Sequence, residues 1–435
     1  MFILNPHIFF TKGAQRGTLF DGNTGSLYWL SPAASRYLSD AQAGNPEENL
    51  SPLLKHLVRE LERLALGTSF SQDPSSCRLH EPCLDKVEHR LSLAYYEVTP
   101  ACNLSCIHCY ANAGAASSEA TGAHARGSDE SGALLREIAS SGVRRIQFIG
   151  GEPFLRWDRL KRLCASARKY FEQVEISTNG TLLKHGKVIS FIKANDIKLS
   201  ISLYSHDAAT HDSITRSPGS HALTMKALSE LEKEKISFYI AFVLMDQNRT
   251  LRHETIDFIR HRFGQEVRPK PLRMTGRAVS ALNRDAPQEK RIGLRNFEGA
   301  FEKQDFLYNR CFHNCYGRGP YVAVDGNVYP CVMERRLSIG NVRKNRWHDI
   351  LGSSAFDEAT RLNKDKIDGC RMCEFRYLCF DCRPDASGLN SNFLSKPWNC
   401  TYTPEKGRWD IDDRDKSPKN SPIIKLTKDP HASRD

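Results

Sequence analysis

No stretch of this 435-residue chain approaches the roughly 18 consecutive apolar residues that a membrane-spanning helix needs, so no membrane span is expected. The segment Met1 to Pro6 also lacks the basic stretch, long apolar run and small-residue cleavage site of a signal peptide, and the expected compartment is the cytoplasm. A third absence is a compact basic run with interleaved aromatics. The formal charge of +11 suits nucleic acid, an anionic surface or an acidic polypeptide without choosing among them. Its diffuse spread reads as a solvated surface, and no nucleic-acid or membrane partner is expected. With 40% hydrophobic and 26% charged residues, the composition has none of the bias of disordered or fibrous chains. A packed protein of two or three domains fits the length.

What the chain does have is cysteine: fourteen of them, concentrated in CxxxCxxC and CxxC spacings. Where thiols are kept reduced, such spacings read as metal ligands rather than as a disulfide framework. Cys77, Cys83 and Cys164 fall outside these spacings, and Cys164, in an apolar-periodic stretch, reads as core.

The first 75 residues read as a small module. Two β-rich runs, Phe2 to Thr11 and Thr18 to Leu30, with the turn signal Asp21-Gly22-Asn23, predict a hairpin. Ser31-Pro32 supplies an N-cap and a first-turn proline, and Leu53, Leu54, Leu57, Val58, Leu61 and Leu64 repeat at helical spacing. A linker is expected from 68 to about 90, and a loop rich in Ala, Ser and Gly over 112–130. Between 91 and 290 short apolar strands alternate with amphipathic helical stretches, which predicts parallel βαβ units. The strand candidates are Leu91 to Val98, Arg145 to Ile149, Gln173 to Ser177, Lys198 to Leu203 and Phe238 to Leu244. A cysteine-dense region follows over 311–402, and 405–435, charged and proline-punctuated, reads as a flexible tail.

Cys102, Cys106 and Cys109 share one tight loop directly after the first of these strands. A 4Fe–4S cluster takes four ligands, so three thiolates leave one iron open to a small chelating molecule. A zinc site is the alternative for such spacing, but His108 stands too close to Cys109 for both to ligate one ion comfortably. Gly150-Gly151-Glu152-Pro153 closes the next strand, where two glycines permit close backbone approach and the glutamate, by its carboxylate and free backbone groups, can hold an ammonium. Ser177-Thr178-Asn179-Gly180 and Ser200-Ile201-Ser202-Leu203-Tyr204 end the next two strands. In parallel α/β folds ligands gather at these carboxyl ends.

CxxxCxxC followed by GGEP resembles the radical S-adenosylmethionine (SAM) superfamily. The resemblance implies an α/β fold, a partial (β/α)6 barrel, with a cluster held by Cys102, Cys106 and Cys109. It further implies that Gly150, Gly151 and Glu152 hold the methionine end of SAM, that Ser202 meets the ribose, that Tyr110 lies against the adenine through its backbone, and that Arg216 meets the carboxylate. Downstream, Cys311-x3-Cys315, Gly326-x4-Cys331, Cys370-x2-Cys373-x5-Cys379-x2-Cys382 and Cys400 resemble the SPASM extension of peptide-modifying members. That resemblance places Cys311, Cys315, Cys331 and Cys382 on one auxiliary cluster and Cys370, Cys373, Cys379 and Cys400 on a second, giving three 4Fe–4S clusters with SAM as co-substrate. Taken alone, the CxxC pairs suit two four-cysteine zinc sites equally well. The N-terminal module resembles the winged-helix element that grips leader peptides in ribosomal peptide pathways, where a leader strand would add to its sheet edge. A capping subdomain for the barrel is the other reading of it.

The function these resemblances imply is an oxidative crosslink, carbon–carbon or ether and involving an aromatic ring, in a precursor peptide with a leader, fed by a flavodoxin or ferredoxin. Thioether formation is the near alternative. Formylglycine formation in a sulfatase is another, although those maturases usually carry an aspartate where this chain has Val332. A non-catalytic, metal-stabilised peptide-binding scaffold is the reading from a different class.

Overall fold

The computed structural model describes residues 2–43, 50–69, 87–114, 128–183, 186–281, 291–389, 392–410 and 422–426. Cys77, Cys83 and the central part of the expected 112–130 loop lie outside the described residues. The chain divides into two compact units: 1–89 with 285–314 and 361–435, and 90–284 with 315–360. The cysteine-dense region expected over 311–402 contributes to both units.

In the first unit, the predicted hairpin is a three-stranded meander of Ile8–Lys12, Gly17–Asp21 and Leu27–Leu30, while Phe2–Leu4 pairs antiparallel with Gly67–Ser69 in a sheet of its own. Each β-rich run is broken in two, giving strands Phe2–Leu4, Ile8–Lys12, Gly17–Asp21 and Leu27–Leu30. The Asp21 carboxylate accepts the amides of Asn23 (2.8 Å) and Thr24 (3.3 Å) and so fixes the turn into Leu27–Leu30. Ser31 caps helix Pro32–Gln42 by accepting Ala34 N, and Ser51 caps Pro52–Arg63 by accepting Leu54 N. Of the predicted leucine stripe, Leu54, Leu57 and Leu61 are buried whereas Leu53 is exposed.

The expected tail is corrected as well. Ile423–Lys425 is a strand that pairs antiparallel with Leu27–Leu30, Ile423 opposite Leu30 and Lys425 opposite Tyr28. The resulting four-stranded sheet is apolar on both faces, because side chains alternate along each strand. Leu19, Tyr28, Leu30 and Ile423 pack with Leu38, Leu57 and Leu61 of the helices. Phe20, Leu27 and Trp29 pack with Phe297, Phe306, Phe375 and Tyr402, the residues that flank the C-terminal cysteines.

The second unit is built on a sheet in the order Phe238–Ala241, Lys198–Ser202, Gln173–Thr178, Arg145–Gly150, Leu93–Thr99, Tyr321–Val322, Asn327–Tyr329, Gly340–Asn341. The first six strands run parallel, as the alternating pattern requires, and the last two turn back antiparallel. Val243–Leu244 continues the line and pairs in parallel with Lys270–Pro271. One face carries Ala94, Tyr96, Val98, Ile146, Phe148, Val174, Ile176, Leu199 and Ile201 against the helices, where Cys164 is fully buried as expected. The alternate residues make a polar face. There Gln147 Nε2 donates to Ser177 Oγ at 2.7 Å and the Tyr239 hydroxyl to Glu175 at 3.3 Å. A parallel sheet normally buries two apolar faces; one lined with polar groups is a place for a ligand.

Candidate functional site

Strand Leu93–Thr99 runs straight into the three-cysteine loop, which closes on itself where Cys102 N donates to Gly114 O at 3.4 Å. The neighbouring strand ends in Gly150-Gly151, and its backbone lies hard against this loop. A Cβ on Gly150 would stand 2.2 Å from Thr99 O, and one on Gly151 2.1 Å from Ala101 O, so both positions require glycine. Gly151 N and Glu152 N donate to Thr99 O and Ala101 O, each at 2.8 Å.

Glu152 is where structure and expectation part. Its side chain is fully buried and turned inward: Oε1 accepts the Thr178 hydroxyl (2.7 Å) and Phe154 N (3.1 Å), and Oε2 accepts Asn179 N (2.9 Å). Burial pushes its carboxyl up to about 7, against the pull of these donors. The carboxylate thus ties one strand end to the next.

That next strand end closes over the loop. Asn179 Nδ2 donates to Asn103 Oδ1 at 3.0 Å and lies 4.0 Å from Cys102 Sγ, while Asn103 Nδ2 donates to Thr181 at 2.8 Å. Ser202 ends strand Lys198–Ser202, two residues before buried Tyr204. From the far side of the loop, Ser105 N and Ile107 N donate to Thr215 O (3.2 Å) and Ile214 O (3.0 Å), the last carbonyls of helix Ala208–Thr215. Arg216 caps that helix in the left-handed region, φ +54°, and is exposed. The structure therefore brings Gly150, Gly151, Glu152 and Arg216 into the frame of the loop that carries Cys102, Cys106, Cys109 and Tyr110.

Two residues at this loop were not read from the sequence. Arg277 donates from Nε to Cys106 O and from Nη1 to Ala113 O, both at 2.8 Å, and its amide reaches Cys109 O at 3.1 Å. Gly276, φ +58°, lets it approach, since a Cβ there would stand 2.4 Å from Cys109 O and 2.6 Å from Tyr110 O. A lone Gly-Arg pair some 170 residues downstream offers no motif; only its turn chemistry hints at it. Burial pushes the thiols of Cys102 and Cys106 up to about 11 and about 12, so ligands held here must lose protons on binding metal.

His108 is a loop residue, as expected: buried, edge-on to Tyr204 at 4.6 Å, and pushed down to about 4 by burial and then by Arg277 and His211. In the same unit, Gly317 N donates to Pro330 O at 3.0 Å, joining the loops of Cys315 and Cys331. Burial, followed by the two thiols, pushes the Tyr95 hydroxyl up.

In the first unit Cys370, Cys373, Cys379 and Cys400 line one pocket, together with Lys364, Arg376, Lys396 and Tyr402. Cys370 is pushed up to about 12 by burial, with Lys364 pulling it down. Glu374, beside Cys373 and 1% exposed, accepts Trp29 Nε1 (2.8 Å) and the Tyr402 hydroxyl on one oxygen. This carboxylate joins the N-terminal sheet to the cysteine segment. Cys311 ends helix Lys303–Cys311, and the loop after it is tied to the residue before Cys382 by Asn314 and Asp381, which exchange two hydrogen bonds of 3.1 Å. Among the described residues, no three His, Cys, Asp or Glu side chains gather tightly enough to hold a single metal ion.

The second unit thus has a parallel sheet whose strand ends clamp a three-thiol loop, and the first unit has a pocket lined by four thiols. Residues 96–259 match the radical SAM superfamily and 311–374 the SPASM iron–sulfur cluster-binding domain. The chain is 33% identical over 402 residues to the Fe-coproporphyrin III synthase of Methanosarcina barkeri, covering 80% of this chain and 98% of that protein. It is 25% identical over 333 residues to the antilisterial bacteriocin subtilosin biosynthesis protein AlbA of Bacillus subtilis, 73% of this chain and 72% of that one. In fold it resembles Streptococcus suis SuiB bound to S-adenosylmethionine, with TM-score 0.54 and 17% identity over 92% of this chain and all of SuiB. The chain belongs to the radical SAM superfamily and carries a SPASM domain; it is an enzyme of iron–sulfur clusters and SAM. No helix among the described residues is long and apolar enough to cross a membrane.

Proposed function

We propose that this enzyme installs an oxidative crosslink, carbon–carbon or ether and involving an aromatic side chain, in a ribosomally made precursor peptide. The observation that carries the reading is the pocket of Cys370, Cys373, Cys379 and Cys400. Four thiols around one cluster leave no open iron, which suits removal of an electron rather than ligation of substrate.

In this reading Cys102, Cys106 and Cys109 hold the cluster with the open position, and the backbone of Gly150, Gly151 and Glu152 takes the methionine ammonium. Ser202 and the Tyr110 backbone meet the nucleoside, and Arg216 meets the carboxylate. When bound, cluster and SAM supply a 5′-deoxyadenosyl radical. The protein positions the peptide on the polar barrel face and excludes water. Each bond made would remove two hydrogens from the peptide, one as an atom and the other as a proton and an electron, and a cluster held by Cys370, Cys373, Cys379 and Cys400 would supply the acceptor for that electron. The count is three clusters, the third held by Cys311, Cys315, Cys331 and Cys382, with a flavodoxin or ferredoxin as electron source. The N-terminal module is read as a cap on the cysteine segment. The sheet edge at Leu27–Leu30, which a leader strand could take, is held by Ile423–Lys425, so a leader that docks there must displace it.

The likeness to Fe-coproporphyrin III synthase, at 33% identity over 98% of that protein, favours a second reading: modification of a tetrapyrrole. Anaerobic incubation of reconstituted enzyme, SAM and reductant with a candidate precursor peptide or with an iron porphyrin, followed by mass spectrometry, separates the two. Loss of two hydrogens per bond in the peptide supports the crosslink. A changed porphyrin beside an unchanged peptide establishes the second reading.

A further inference from the structure

The pocket of Cys370, Cys373, Cys379 and Cys400 holds a charge that the cysteine pattern does not announce. Asn363 caps the short helix Lys364–Lys366 and turns Lys364 inward until it is 5% exposed. Its ammonium points at Cys370 Sγ, 4.0 Å away, and its other charged neighbours are Cys379, Asp381 and Arg383.

The remaining charges around this ammonium are already matched. Asp381, 1% exposed, is gripped on both oxygens by Arg383, Nη2 to Oδ1 at 2.8 Å and Nε to Oδ2 at 2.7 Å, with His313 Nε2 3.8 Å from Oδ2. Arg376 pairs with Asp365 at 2.7 Å, and Lys396 gives its ammonium to Tyr402 O at 2.8 Å. Glu374 faces Trp29 and Tyr402. Among the described residues lining the pocket, Lys364 is thus the cation aimed at the thiols.

A buried ammonium costs several kcal/mol unless something negative faces it. Four thiolates around a 4Fe–4S cube carry net negative charge, and one-electron reduction adds another. Attraction to a fixed cation grows with that charge, so the cation favours the reduced form.

We propose that Lys364 is a positioning residue for this auxiliary cluster, its ammonium offsetting the charge of the four thiolates and holding the cluster's reduction potential up. The inference rests on the reading that these four cysteines hold a cluster.

The test uses full-length protein in which Cys102, Cys106 and Cys109 are alanine, so that auxiliary clusters alone give the paramagnetic resonance signal. Lys364→Met and Lys364→Arg are made in this background, reconstituted anaerobically, assayed for iron and sulfide, and titrated electrochemically. With full iron, Lys364→Met lowers the reduction equilibrium constant of one auxiliary signal at least tenfold, about 59 mV for one electron. Lys364→Arg stays near the parent. An unchanged midpoint in a fully loaded Lys364→Met overturns the proposal. If Lys364→Met sheds iron, retention in Lys364→Arg supports the charge role, and equal loss in both overturns it. Cys400→Ala checks the underlying reading separately: iron and spectra unchanged by that substitution would overturn the cluster assignment itself.

Discussion

The two thiol sites differ in what surrounds them, and the difference suits the two chemical tasks proposed for them. Cys102, Cys106 and Cys109 sit on a loop held by backbone carbonyls of Thr99, Ala101, Ile214 and Thr215, by Arg277 donating to Cys106 and Ala113, and by the Asn103, Asn179 and Thr181 side chains. Under the proposed reading, such a frame suits three fixed ligands with a fourth, exchangeable one. Cys370, Cys373, Cys379 and Cys400 are instead enclosed by side chains, with a charged lysine and a carboxylate locked by Trp29 and Tyr402 beside them. That surrounding suits a cluster that gains and loses electrons without touching substrate.

The largest predicted effect breaks the first site. Replacing Cys102, Cys106 and Cys109 by alanine abolishes 5′-deoxyadenosine formation, measured by chromatography, yet leaves the auxiliary iron in place. Gly151→Ala comes next. Its methyl group would stand 2.1 Å from Ala101 O, so the loop has to move, and the variant loses several kcal/mol of stability and most of the first cluster's iron. Arg277→Gln removes charged donors from Cys106 O and Ala113 O and is expected to cost about 1.5–3 kcal/mol, seen in the denaturation midpoint and in faster iron loss to a chelator. Trp29→Phe probes the second site: the Glu374 carboxylate loses one buried donor, at about 1–3 kcal/mol, with 5′-deoxyadenosine formation unaffected.

The smallest effect concerns pH. His108, His211 and His313 are each pushed down to about 4 by burial. The unfolded chain takes up their protons near pH 6.5, which the folded chain resists. Stability is therefore whole above 6.5 and is lost as pH falls from there towards 4. His108→Phe removes a buried Nδ1 that has no hydrogen-bond partner and should flatten part of that slope in thermal melts taken from pH 7 to 5.

Much of this was legible in the sequence, for identifiable reasons. The barrel strands came within about two residues of their ends, because parallel strands buried on one face are short apolar runs between helical patterns. Thiol spacing and the glycine pair are local signals, and the close approach at Gly150 and Gly151 is what such glycines permit. The N-terminal sheet was half read. Buried on both faces, its strands lack alternation, so the two runs concealed three of its strands, Ile8–Lys12, Gly17–Asp21 and Leu27–Leu30, and the separate strand Phe2–Leu4. Ile423–Lys425 sits in a charged, proline-punctuated segment whose composition imitates a tail; only tertiary pairing makes it a strand. Arg277 and Lys364 carry no motif. Each acts through one contact between residues distant in sequence or through a single cap, and in the chain both look like ordinary surface cations. The inward turn of Glu152 is equally invisible, because the motif fixes the residue and not the direction of its carboxylate.

The central claim is that the two sites divide the labour. Its most direct test is Cys400→Ala in the full-length enzyme, with 5′-deoxyadenosine and the mass of the candidate peptide measured in the same anaerobic reaction. The account predicts that 5′-deoxyadenosine still forms while the two-hydrogen loss from the peptide disappears. A peptide crosslinked at the parent rate would show that the four-cysteine pocket takes no part in the oxidation, and would contradict it.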